Sequence, residues 1–142
     1  MKQRTYVFVY GTLMNGMEAS DLLAAEGARL VGRGRIEGRL VDLGEFPGAV
    51  HSSNTRDAVV GEVYELPSQA ALRQLDHYEE YSPNDPGRSL FVRENVRAEL
   101  LDGSGQLNAW TYFYNEEEGR LQARRIPSGD YRSYRRRTVT RR

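Results

Sequence analysis

The chain of 142 residues has no cysteine, two histidines (His51 and His77) and a single lysine, Lys2. The missing cysteine excludes disulfides, thiol nucleophiles, cysteine-based zinc sites and iron–sulfur clusters. With only two histidines, a histidine-rich metal site is not expected either. No apolar run approaches the roughly 18 residues of a membrane span, and mean hydropathy is −0.68. The start, Met1 to Thr5, runs into a strand-like segment too short and too aromatic for a signal peptide. A cytoplasmic protein without a membrane partner is expected. Length argues for one domain over 1–142, large enough to fold around its own core without a metal or disulfide.

Net charge is also lacking, since twenty basic and twenty acidic residues cancel. The balance hides an asymmetry. Residues 1–119 hold eleven basic and nineteen acidic residues, whereas 120–142 hold nine arginines against Asp130 alone. The Arg-rich stretch at about 132–142 interleaves Tyr131 and Tyr134 with guanidinium groups, a pattern able to stack on bases and pair with phosphates. No RNA-binding signature accompanies it, so it is read as lying on the protein's own acidic surface or as a solvated terminus. Nucleic acid is not expected as a partner.

The unbroken β-branched and aromatic run Thr5–Tyr10 predicts a strand buried on both faces. Met17–Glu26, stopped by Gly27, predicts a short helix with a glycine cap. Recurrent glycines at 32, 34 and 38 predict strongly bent strands between Leu30 and Leu43, and Phe46-Pro47-Gly48 reads as a turn. Further strands are expected at Val59–Leu66, Leu90–Leu101 and Leu107–Tyr114. A helix capped by Ser68 is expected to run to about Glu79, and Glu116–Glu118 reads as a solvated acidic turn. The pattern is α+β: a small, curled, mostly antiparallel, barrel-like sheet with short helices.

At about 100° per residue, Glu79 falls between Leu72 and Leu75 on the apolar stripe of its helix, with Glu80 at the stripe's edge and His77 on the far side. A carboxylate there is either paired, Arg93 being a candidate partner, or raised in pKa. Asp76 one turn back and the negative end of the helix dipole act in the raising direction. A raised carboxylate suits general acid–base work near neutral pH. Glycine directly after the buried strand, in Tyr10-Gly11-Thr12-Leu13, brings backbone N–H groups to the sheet's edge, where they can hold a carboxylate or an oxyanion.

Tyr10-Gly11-Thr12-Leu13 resembles the YGSL/YGTL motif of the gamma-glutamylcyclotransferase-like superfamily, and Leu75-Asp76-His77-Tyr78-Glu79 resembles its Leu-Asp-x-x-Glu element. Gly38 to Pro47, Val60-Gly61-Glu62-Val63-Tyr64 and Pro127-Ser128-Gly129-Asp130-Tyr131 fit family segments in order and spacing, so the resemblance spans roughly residues 5–134. It implies an enzyme that releases 5-oxoproline and a free amine from a γ-glutamyl amide or peptide, with Glu79 as catalytic acid/base. It also implies substrate contacts from Tyr10, Gly11, Thr12, Leu13 and Tyr131, no cofactor, and a small γ-glutamyl compound as the only partner. Where many members continue Glu-Gly-Tyr-Pro, this chain has Glu79-Glu80-Tyr81-Ser82-Pro83, and Phe91 stands where tyrosine is common. The alternative is a non-catalytic module on the same fold that binds a small molecule or an acidic partner.

Overall fold

The computed structural model describes residues 4–115 and 124–140. The expected acidic turn at Glu116–Glu118 lies outside the described residues. Eight strands and three helices follow in the order β1 (Thr5–Val9), α1 (Ser20–Ala25), β2 (Arg29–Glu37), β3 (Arg39–Asp42), β4 (Pro47–Val50), β5 (Ala58–Leu66), α2 (Gln69–Tyr78), β6 (Phe91–Leu100), β7 (Gln106–Tyr114), β8 (Arg124–Arg125) and α3 (Tyr131–Thr140). A single 3-10 turn at Pro86–Arg88 lies between α2 and β6.

Strands β1, β5, β2, β6 and β7 pair in that order, and a parallel pairing of Val7 with Trp110 returns β7 to β1 and closes a five-stranded barrel. Beyond β7 the sheet continues through β4, β3 and β8, β4 joining by a parallel pairing of Ala49 with Phe113. All other strand pairings are antiparallel. The α+β, barrel-like expectation therefore holds. Closing so small a barrel forces strands together, and two glycines make room. Gly34 and Gly61 face each other across β2 and β5, and a Cβ at Gly61 would meet the Val9 carbonyl oxygen at 2.2 Å. Val7, Phe8, Val59, Val63, Leu72, Leu75 and Ala109 fill the core.

Two elements differ from expectation. The first helix begins only at Ser20, because residues 12–19 are tied to the turn after β1: Ala19 N–H donates to the Thr12 carbonyl at 2.8 Å and Met14 N–H to that of Gly11 at 3.0 Å. Phe46-Pro47-Gly48 is not a turn. The chain reverses at 43–46, where Leu43 N–H donates to the Phe46 carbonyl at 2.9 Å, and Pro47 opens the buried strand β4. Proline fits there because the first residue of a strand can do without an N–H.

Helix α2 starts as expected, with Ser68 Oγ accepting from Ala71 N–H at 3.3 Å. At its other end the N–H of Glu80 reaches the His77 carbonyl at 3.2 Å and that of Tyr81 the Asp76 carbonyl at 2.9 Å, a paired closure that usually carries glycine. Here Glu80 takes the left-handed conformation, with φ of 54°, alone among the described non-glycine residues. Glu80→Gly should therefore raise stability by about 1 kcal/mol in denaturant melts. A lower midpoint would show that the Glu80 side chain makes a compensating contact.

Candidate active site

The end of β1, the turn at 10–13, the start of β4, the last turn of α2 and the facing ends of β6 and β7 surround one cavity of about 240 Å³. Tyr10, Gly11, Thr12, Leu13 and Glu79 all line it, so the two segments singled out in the sequence, 66 residues apart, share a wall. Sequence reasoning missed much of the remaining lining, chiefly Phe8, Phe46, Tyr78 and Tyr112. The aromatic content of β6 and β7 was visible, but which rings face this space depends on the pairing of Phe91 with Tyr114 and Arg93 with Tyr112.

Glu79 caps the C-terminus of α2, half-buried at the cavity wall. Burial, and secondarily the charge of Glu80, push its carboxyl up to about 8. Among the described residues, none donates a hydrogen bond to it or forms an ion pair with it. Arg93, the partner considered for it, goes instead to Asp76, with Nε 3.4 Å from Oδ1 and the guanidinium 4.8 Å from the Trp110 ring. Asp76 also accepts from the Tyr112 hydroxyl at 2.7 Å, and burial dominates in moving its own carboxyl upward. The like charge raising Glu79 is thus Glu80 rather than Asp76, which is occupied by its own partners.

The turn after β1 is built for close approach. A Cβ on Gly11 would lie 2.8 Å from Pro47 Cγ and 3.0 Å from Cδ, so only glycine lets the turn pack on β4. Its hydrogen bonds use the Gly11 and Thr12 carbonyls as acceptors and leave the N–H groups of Gly11, Thr12 and Leu13 outside them. Thr12 Oγ1 and the Tyr78 hydroxyl share a hydrogen bond at 2.8 Å, tying the turn to the end of α2 beside Glu79. Gly11→Ala should cost about 1–3 kcal/mol in a thermal or urea melt, because a buried proline ring has little freedom to yield. An unchanged melt would mean that the turn moves away freely.

Tyr10 presents its ring to the cavity while its hydroxyl is committed to the fold, donating to the Tyr112 carbonyl at 2.6 Å and accepting from Ala49 N–H at 3.0 Å. Burial, with the charge of Glu79 second, holds this phenol well above its ordinary pKa, so it remains a donor. Tyr131 is not among the residues lining the cavity. It is buried in the first turn of α3, with the Arg135 guanidinium 5.9 Å from its ring. Residues 131–140 are helical, and three side chains of the first turns, Arg132, Tyr134 and Arg135, dock on acidic groups. Arg132 lies 3.5 Å from Glu62 and donates to the Asn15 carbonyl at 2.5 Å, Arg135 pairs with Glu18, and the Tyr134 hydroxyl donates to Asp42 at 2.6 Å. No helix among the described residues is long and apolar enough to cross a membrane.

Comparison with known proteins matches residues 7–133 to the family model described as "Gamma-glutamyl cyclotransferase, AIG2-like". A relative from Niallia circulans, named "Gamma-L-glutamyl-butirosin B gamma-glutamyl cyclotransferase", is 34% identical over 113 residues, covering 79% of this chain and 68% of the relative. The crystal structure of an AIG2-like protein from Mus musculus superposes with a TM-score of 0.65 at 26% identity, over 79% of this chain and 78% of that one. The structure of YkqA from Bacillus subtilis superposes with a TM-score of 0.75 at 23% identity. It shares the fold over 97% of this chain, which spans 43% of that longer protein.

Proposed function

We propose, for a chain that belongs to the AIG2-like gamma-glutamyl cyclotransferase family and is a cyclotransferase enzyme, that Glu79 moves the protons of the reaction and the turn at 11–13 holds the substrate. The substrate is a γ-glutamyl amide. Its own α-amine attacks the γ-carbonyl carbon, the new C–N bond closes the five-membered ring, and the old C–N bond breaks to give 5-oxoproline and a free amine. Because the nucleophile comes with the substrate, the protein needs to orient it, take a proton from the attacking nitrogen, steady the oxyanion and return a proton to the departing nitrogen.

The observation that carries this reading is Glu79: a carboxylate with no partner among the described residues, raised to about 8, lining the same cavity as backbone N–H groups that lie outside the turn's hydrogen bonds. At neutral pH a group of that pKa is mostly protonated yet exchanges its proton readily, which one residue serving as base and then acid requires. Gly11, Thr12 and Leu13 supply N–H dipoles for the α-carboxylate or the oxyanion. The test is product stoichiometry with γ-glutamyl amides: 5-oxoproline and free amine should appear one for one. Free glutamate in place of 5-oxoproline would mean hydrolysis by water and would overturn the cyclisation step.

A further inference from the structure

Arginine, lysine and histidine are all absent from the described lining of the cavity, and its charged residues are Glu79 and Glu80. At about 240 Å³ the space is smaller than the roughly 300–1,000 Å³ that encloses a drug-sized ligand. A γ-glutamyl head placed against the turn at 11–13 therefore leaves its amine substituent to extend past the rim. Glu80 stands at that rim, since it lines both the cavity and the adjoining groove formed by His77, Tyr81, Ser82, Asp85, Arg88 and Ser89. Its backbone is fixed from three sides: its N–H donates to His77, the next N–H to Asp76, and its carbonyl accepts from Leu90 N–H at 3.2 Å. The charge is thus carried on an exposed side chain whose backbone is fixed in the left-handed conformation.

The nearby guanidinium groups do not offset it. Arg93 is half-buried on Asp76 beside two aromatic rings, and Arg88, which lines the groove with Glu80, is matched there by Asp85 at 3.9 Å. The rim consequently offers a carboxylate and the apolar or aromatic surfaces of Tyr78, Leu90 and Phe46. That combination favours an alkyl chain bearing a cation and opposes a leaving group that carries its own carboxylate.

Building on the cyclotransferase reading above, we infer that Glu80 is a specificity-determining residue that selects γ-glutamyl amides whose departing amine is positively charged, over γ-glutamyl peptides and amino acids that end in a carboxylate. Three γ-glutamyl amides whose amine substituents each have four carbons test this: 4-aminobutyl, butyl and 3-carboxypropyl. The native chain should rank them in that order by kcat/KM, each step about fivefold at low ionic strength. The spread should narrow as salt is raised, because a rim charge is screened. In Glu80→Gln the aminobutyl-to-carboxypropyl ratio should fall at least fivefold. All three share one glutamyl head, so the ratio cancels any effect of the substitution on Glu79.

Equal rates on the three compounds, or preference for the carboxypropyl amide, with 5-oxoproline formed, would overturn the inference and leave the cyclotransferase reading standing. Binding of the same compounds to Glu79→Gln, measured by calorimetry, separates the other case. The expected binding order without any 5-oxoproline from the native chain would sink the catalytic reading while keeping Glu80 as a charge selector. Neither turnover nor ordered binding would overturn both.

Discussion

Replacing Glu79 by glutamine should abolish cyclisation while leaving the protein folded, and above pH 8 the variant should be the more stable of the two. Loss of a general acid–base group costs about 100- to 10,000-fold in turnover. The stability effect follows from the raised carboxyl, which moves from 4.5 to about 8 on folding. The folded state holds this proton more tightly than the unfolded chain. The resulting stability is fully present below about pH 4.5 and is lost as pH rises through about 8. Above that, the native protein carries the cost of a half-buried carboxylate, at most about 5 kcal/mol, which the neutral amide escapes. Melts of the two proteins should coincide near pH 4 and separate with rising pH. In the native chain, kcat/KM should climb by up to tenfold per pH unit towards pH 8 as the base form appears. If Glu79 were instead one half of a buried ion pair, glutamine would lower the melt at pH 7 and leave turnover per folded molecule near normal.

Tyr10→Phe should be among the most damaging conservative changes to stability. One hydroxyl satisfies the carbonyl of Tyr112 in β7 and the N–H of Ala49 in β4, so it joins β1 to the strand it neighbours in the barrel and to the extension beyond it. Phenylalanine fills the same space and takes a hydrogen-bond partner from each of two buried backbone groups. Each such group costs about 1–3 kcal/mol, for a total of roughly 2–5 kcal/mol. In a chain of this size the melting temperature should fall on the order of 10 °C. A loss below about 0.5 kcal/mol would show that water or a shift of β4 satisfies both groups.

The two effects bear on different parts of the cavity. Tyr10 fixes where the turn at 11–13 sits relative to β4, and Glu79 lines the same cavity from the end of α2. The Thr12–Tyr78 hydrogen bond then sets their separation. A substrate bound between them would meet proton donor and N–H dipoles in a frame held by strands and a helix end, with little reorganisation needed.

Local rules made much of this legible from sequence. The Thr5–Val9 strand, the Ser68 cap and the left-handed Gly27 after α1 (φ of 75°) all follow from residue type and spacing, because they rest on interactions within a few residues. Helical periodicity alone turned Glu79 towards Leu72 and Leu75, hence towards the interior. Other features were settled only by the tertiary structure. Arg93 pairs with Asp76 rather than Glu79 because β6 lies beside β7, where Tyr112 already approaches the same carboxylate. Pro47 opens a buried strand because Gly11 leaves room for its ring, a contact across 36 residues. Tyr131 is carried into the base of α3 and away from the cavity lining by the docking of the arginines that follow it on Glu62 and Glu18. Spacing along the chain reports which face a side chain turns to. It carries no information on which distant partner occupies that face, because that depends on barrel closure and the strand register it imposes.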